Sequence, residues 1–190
     1  MNSTKTQILD TAQELIQRVG LNAMSYADIS KAVNIRKASI HYHFPTKEKL
    51  VAALLDRFSD DFFRLVDSIL KISDTAEVKL RRYCGLFEAT LSSGEKDKAC
   101  LCGMLGAEFK TLESSSTERV SRFYQDNRVC LIKLLQEGQE TGEFKFPGQT
   151  EAMAITIFSS LEGGLLIARA DGGISQFRSI VEQLIVIVKG

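Results

Sequence analysis

The sequence predicts an all-α chain: an N-terminal three-helix helix-turn-helix domain followed by a larger helical domain. Three observations carry this prediction. The 190 residues include only two prolines, and alternating runs of Val, Ile and Thr are scarce, so strands have little support. Apolar residues recur at three- and four-residue spacing along nearly the whole chain. Capping and turn residues then cut that pattern into helices of ordinary length.

The first helix runs from Thr4 to Val19 on Ile8, Leu9, Ala12, Leu15, Ile16 and Val19, and Gly20 stands where a helix ends. The second opens at Ser25, with Asp28 at the capping-box position and an apolar face of Ile29, Ala32 and Val33. Asn34 follows, a residue that tolerates a left-handed turn. A short third helix spans about 37–44 and is stopped by Pro45, and Thr46 caps a fourth that reaches about residue 72. Further helices are expected over 76–93, 98–112, 116–141, 149–171 and 174–188. Breaks fall at SSGEKDK, ESSS, TGEFKFPGQ and DGG. The last two helices carry apolar residues on more than one face, which a surface helix does not need. A homodimer through residues 149–188 would use that excess.

The formal net charge is zero, yet residues 1–57 hold eight Lys/Arg against five Asp/Glu, and the remainder holds sixteen against nineteen. A basic head on an acidic body suits an anionic partner for the head. No apolar run approaches the length of a membrane span, and no charged-then-apolar leader opens the chain, so a cytoplasmic protein that does not use a membrane is expected. Cys84, Cys100, Cys102 and Cys130 form no C-x-x-C pair and have no histidine cluster beside them, which leaves disulfides and structural zinc unsupported.

Both histidines, His41 and His43, lie in the third helix as H-x-H. Residues two apart on a helix point about 200° apart, so the pair cannot close on one metal ion. No carboxylate or nucleophile accompanies it for acid–base chemistry. Ile40 and Phe44 supply the inward face, which turns Lys37, Ala38, Ser39, His41, Tyr42 and His43 outward, with Arg36 just before them. Small residues let a helix approach a groove floor, and Ser, Tyr and His can bond phosphate oxygens. Lys47, in the first turn of the fourth helix, would clamp a phosphate. Ser25, Arg36, Lys37, Ala38, Ser39, His41, Tyr42, His43 and Lys47 are therefore the candidate DNA contacts, and no catalytic or metal-ligating residue and no cofactor is expected.

The stretch SYADISKAVNIRKASIHYHFPTKEKLVAALL resembles the TetR family of bacterial transcriptional regulators. Ser25 stands at the family's cap, Ile29-Ser30 at its Ile-Ala pair and Lys37-Ala38-Ser39 at its Lys-Gly-Thr, with Tyr42, Phe44, Lys47 and Leu50 following. Asn34 replaces the usual turn glycine, Ala38 a common glycine, and His41 a frequent phosphate-contacting tyrosine. The resemblance implies a DNA-binding domain over 1–46 and an effector-binding and dimerisation domain over 47–190, joined by a linking helix over 47–72. It also implies a ligand-responsive regulator, foremost a repressor, bound as a homodimer to a pseudo-palindromic double-stranded operator and released by a small-molecule effector.

The segment KDKACLCGMLGAEFKTL is similar to a subgroup of electrophile-responsive regulators resembling NemR, with Cys100 at the sensing position. A thiol near Lys96 and Lys98 at a helix N-terminus would have its thiolate stabilised. Cys100 and Cys102 also read as small apolar packing residues. Tyr83, Phe87, Met104, Phe109, Phe123 and Phe158 are candidate pocket residues, and Glu162 is a polar group set in an apolar run. A helical enzyme or an interaction module with a basic N-terminal subdomain is the competing reading. It lacks a nucleophile–base pair, a phosphate-cradling loop and a metal constellation.

Overall fold

The computed structural model describes residues 3–92 and 98–190, and in them the chain is helical without strands. Nine α-helices occur among the described residues: α1 (Thr4–Val19), α2 (Tyr26–Val33), α3 (Lys37–His43), α4 (Lys47–Leu70), α5 (Ala76–Ser92), α6 (Leu101–Ala107), α7 (Ser114–Glu140), α8 (Thr150–Ala170) and α9 (Gly173–Lys189). A 3₁₀ turn, Phe109–Thr111, lies between α6 and α7. The helices group into two compact units, Met1–Asp60 with Leu101–Phe123, and Asp61–Cys100 with Tyr124–Gly190.

In the N-terminal unit the cap and turn residues read from the sequence, Gly20, Ser25 with Asp28, and Asn34, act as predicted, and Ser3 joins them. Ser3 accepts a hydrogen bond from the Thr6 amide at the head of α1, and Gly20 ends that helix at φ +85°. A Cβ at Gly20 would lie 2.6 Å from a Glu108 carboxylate oxygen, so positive φ and close approach both demand glycine. Ser25 and Asp28 form the reciprocal capping box of α2, and Asn34 adopts the left-handed conformation at φ 57°. Ile8, Ala12, Ile16, Ile29, Ile40, Leu50 and Leu54 are fully shielded from solvent. Arg57 of α4 bonds Asp10 and Gln13 of α1, and Arg119 of α7 bonds Asp56 of α4.

The C-terminal unit is a helical bundle in which α8 and α9 are packed partners, with α5 against both. Gly164 brings α8 close to α9, where an added Cβ would meet Ile180 at 3.1 Å. Glu143 caps α5 from afar, its two carboxylate oxygens accepting from the Ala76 and Glu77 amides at 3.1 Å. Tyr83 donates to Asn127 at 2.6 Å in the buried interior. Arg81 holds Glu182 through two hydrogen bonds, and Arg178 holds Glu88, so ion pairs rim the α5–α9 seam.

Three expectations change. The helix expected over 98–112 is split into α6 and the 3₁₀ turn, because Glu108 turns its carboxylate back to the Leu21 and Asn22 amides. The ESSS break is absorbed, since Ser114–Ser116 form the first turn of α7. The statement that no apolar run approaches a membrane span is corrected. α8 is 21 residues long, with mean hydropathy 1.4 in its most apolar window, which meets the length and composition of a span. Thr156, Ser159, Ser160 and Glu162 interrupt the contiguous run without lowering its average enough.

Candidate nucleic-acid interface and effector site

The α2–α3 pair presents a polar, basic surface. Ile40 and Phe44 are buried, as the spacing requires, and Tyr42 is 83% exposed beside exposed Arg36, Lys37, Ala38 and His41. Ser39 and His43 are half-buried, and the Tyr42 and His43 rings meet edge-on at 5.2 Å. A shallow depression of about 410 Å³ runs beside this surface, lined by Met24, Ser25, Tyr26, Ala27, Lys37, His41, Thr46 and Lys47.

Several of these side chains have structural duties as well. The Ser25 hydroxyl donates to Asp28 at 2.6 Å, so its proton belongs to the α2 cap. Lys47 donates from its ammonium to the Leu21 and Met24 carbonyls at 2.6 and 2.7 Å, which leaves one of its three N–H groups for a phosphate. His41 packs against Tyr26 with ring centroids 4.9 Å apart, and its Nδ1 lies 3.3 Å from the Pro45 carbonyl. A neutral ring in that arrangement carries its proton on Nδ1 and offers Nε2 only as an acceptor, which phosphate does not bond. Tyr26, which sequence reasoning did not single out, fixes the His41 ring and donates to the Phe44 carbonyl at 2.9 Å. Burial pushes the Tyr26 hydroxyl up to about 12, with Glu48 adding, so it remains a donor.

Within the same unit, Glu108 is a second anchor. Its carboxylate accepts from the Leu21 amide at 2.7 Å and the Asn22 amide at 3.2 Å, and the Asn22 side chain donates to Thr111 at 3.0 Å. The segment after α6 is thereby bonded to the turn that precedes α2.

The proposed pocket residues divide between the two units. Met104, Phe109 and Phe123 fall in the N-terminal unit, where Phe123 stacks on Phe58 at 5.6 Å and Phe109 is 41% exposed. Tyr83, Phe87, Cys100, Phe158 and Glu162 fall in the C-terminal unit and come together there. Phe87 lies 5.5 Å from Tyr83 and 6.1 Å from Phe158. Phe62 and Tyr124 complete the cluster, at 5.6 Å from Phe87 and Phe158 respectively. Neither was singled out, although Phe58 and Phe62 sit one turn apart on α4, a pattern that marks a common face.

Glu162 is the polar centre of this cluster. Desolvation raises its carboxyl from the usual 4.5 to about 7, opposed only by a hydrogen bond with Cys100. Its Oε1 is shielded from solvent and has no hydrogen-bond partner. Cys100 is buried immediately before α6. The Cys100 thiol thus bonds an acidic group, Glu162, where the sequence expects lysines to stabilise a thiolate. Of the lysines invoked for that stabilisation, Lys96 lies outside the described residues. Cys102 is fully shielded, as a packing residue would be. No group of three or more His, Cys, Asp or Glu able to hold a metal occurs among the described residues.

Comparisons with known proteins bear on both units. Residues 8–54 match the family described as bacterial regulatory proteins, tetR family, and residues 76–184 match the tetracyclin repressor-like C-terminal domain. A TetR-family transcriptional regulator from Agrobacterium tumefaciens is 30% identical with a TM-score of 0.92, covering 98% of this chain and 97% of that one. A TetR transcriptional regulator from Legionella pneumophila is 32% identical with a TM-score of 0.85, covering 100% and 99%. The HTH-type transcriptional repressor DhaR of Mycobacterium sp. (strain GP1) is 24% identical over 180 residues, 93% of this chain and 89% of its own length.

Proposed function

The chain belongs to the TetR family of bacterial regulatory proteins, and from that premise we propose a homodimeric repressor released from its operator by a small molecule. The observation that carries the DNA-binding part is the exposed face of α3, where Tyr42, Lys37 and Arg36 project from a helix anchored by buried Ile40 and Phe44. A helix held in this way can enter a major groove while its neighbours bond phosphates. Two copies would place two α3 helices on half-sites roughly 34–36 Å apart. DhaR is named a transcriptional repressor, which favours repression over activation here.

The dimer is assigned to α8 and α9. Ile155, Leu166 and Ile167 of α8 and Val186 and Ile187 of α9 are exposed, although both helices already pack on each other. A second copy, forming a four-helix bundle, would bury them and supply the environment that an exposed apolar α8 lacks. Gly163, with open space where a Cβ would project, suits close approach of that partner. The aromatic cluster around Glu162 is the effector site, and α4 and α7 run through both units, so their displacement carries an effector's influence to the DNA-binding helices.

The deciding experiment is retention of the protein's own promoter fragment in a mobility-shift assay, with Tyr42→Ala and Lys37→Ala as paired variants. Both should lose affinity across DNA sequences, and the Lys37 change should also reduce the salt slope. Undiminished binding by the double variant would remove α3 from the interface. For the dimer, Ile167→Glu combined with Val186→Glu should yield a monomer by light scattering, and an unchanged mass would displace the assigned interface.

A further inference from the structure

The cluster at Glu162 has a charge character that narrows its ligand. Phe158 and Glu162 lie one helical turn apart on α8 and share a face. Five rings from four helices gather there: Phe62, Tyr83, Phe87, Tyr124 and Phe158. Tyr83 and Phe87 are buried, whereas Phe62, Tyr124 and Phe158 are only half-buried.

One donor of the cluster is engaged elsewhere. The Tyr83 hydroxyl is committed to Asn127 at 2.6 Å. The Cys100 thiol is the one group of the chain that bonds Glu162 among the described residues, and S–H is a weak donor. Oε1 is left shielded and without a partner. Cys84, Cys130, Glu162 and Cys100 all bear on Tyr83, and Arg81, which bears on Cys84, is itself held by Glu77 and Glu182. A buried carboxyl without a counter-charge keeps its proton, and a partner that brings both a donor and a positive charge would let it ionise in place. Aromatic faces attract the same partner through the ring quadrupole.

We propose that Glu162 and the aromatic cluster form a cation subsite, and that the effector is a small organic ammonium compound with an apolar body. Its N–H donates to Glu162 Oε1, and its body lies against Phe87, Tyr124 and Phe158. The proposal rests on the effector-responsive reading and specifies the ligand class for it.

The test is isothermal titration calorimetry on the full chain with matched pairs: benzylammonium and benzyl alcohol, and phenethylammonium and phenethyl alcohol. In the wild-type protein at least one ammonium compound should bind about tenfold or more tightly than its alcohol. Glu162→Gln should abolish that preference by weakening the ammonium alone. Phe158→Leu, which keeps the apolar volume but removes a ring, should weaken the ammonium more than the alcohol and serves if the Gln variant fails to fold. The proposal is overturned if neither ammonium binds, if the alcohols bind equally well, or if Glu162→Gln retains the preference. A protein that still retains its promoter fragment and is released by an uncharged compound loses only the cation assignment. One that retains no promoter fragment loses the regulator reading itself.

Discussion

Replacing Glu162 with Gln should stabilise the protein at alkaline pH and not at acidic pH. The folded chain holds the Glu162 carboxyl at about 7 against the usual 4.5, because desolvation penalises its charged form. Below 4.5 the group is protonated whether the chain is folded or not, and no penalty applies. Between 4.5 and 7 the unfolded chain releases the proton and the folded chain keeps it, so stability falls as pH rises. Above 7 the loss is complete. At about 1.4 kcal/mol per pH unit, the interval from pH 5 to 7 corresponds to about 2–3 kcal/mol. A glutamine of the same shape carries no such dependence. Cys100 and Tyr83, the ionisable groups that bear on Glu162, are common to both proteins, so only their coupling to position 162 differs. The assay is urea unfolding of both proteins at pH 5 and pH 8, at one fixed protein concentration because a dimer's stability depends on it. The stability gap, variant minus wild type, should grow by about 2–3 kcal/mol in favour of Gln between the two pH values. An equal gap at both pH values would mean that Glu162 is solvated or paired in the folded protein, against the burial described.

Three further outcomes follow from the geometry. Lys47→Ala removes two charged hydrogen bonds to the Leu21 and Met24 carbonyls and should lower stability by about 1.5–3 kcal/mol in chemical denaturation; an unchanged midpoint with lost DNA affinity would assign Lys47 to phosphate alone. Glu108→Ala leaves the Leu21 and Asn22 amides without their acceptor and should cost about 1–3 kcal/mol, with faster amide exchange at those two residues as the local readout. Gly138→Ala places a methyl 2.1 Å from the buried Phe144 ring and should destabilise by about 1–3 kcal/mol, whereas Gly142→Ser, at a position with open space around it, tests only its positive φ.

Much of the N-terminal unit was legible because its signals are local. Ser25 with Asp28, Asn34 in the left-handed conformation and buried Ile40 with Phe44 all involve partners within four residues. Such pairs are visible as spacing before any fold is known. Residues 98–112 were misjudged as one helix because the cause of the break is distant. Glu108 serves amides 86 and 87 residues away, and helical periodicity carries no trace of that. Phe109 is exposed for a related reason: an aromatic residue in a helical pattern reads as inward-facing, and here it lies in the 3₁₀ turn. Lys47 carried two compatible duties, and only its 2.6 and 2.7 Å contacts showed that the carbonyls of the preceding turn already hold it.

An all-α chain, the helix-turn-helix with its outward face, and two terminal helices apolar on more than one face can all be read from the residues alone. These properties depend on caps and periodicity, whose energies are set by neighbours along the chain. Which aromatic residues meet, and what that does to Glu162, depends on how the helices pack. Phe62, Tyr83, Phe87, Tyr124 and Phe158 come from four helices distant in sequence, and Asn127 accepts from the Tyr83 hydroxyl. Burial and the loss of a partner are properties of a packed assembly. A glutamate between two apolar runs has its carboxyl pushed toward the neutral form only when the helices close around it.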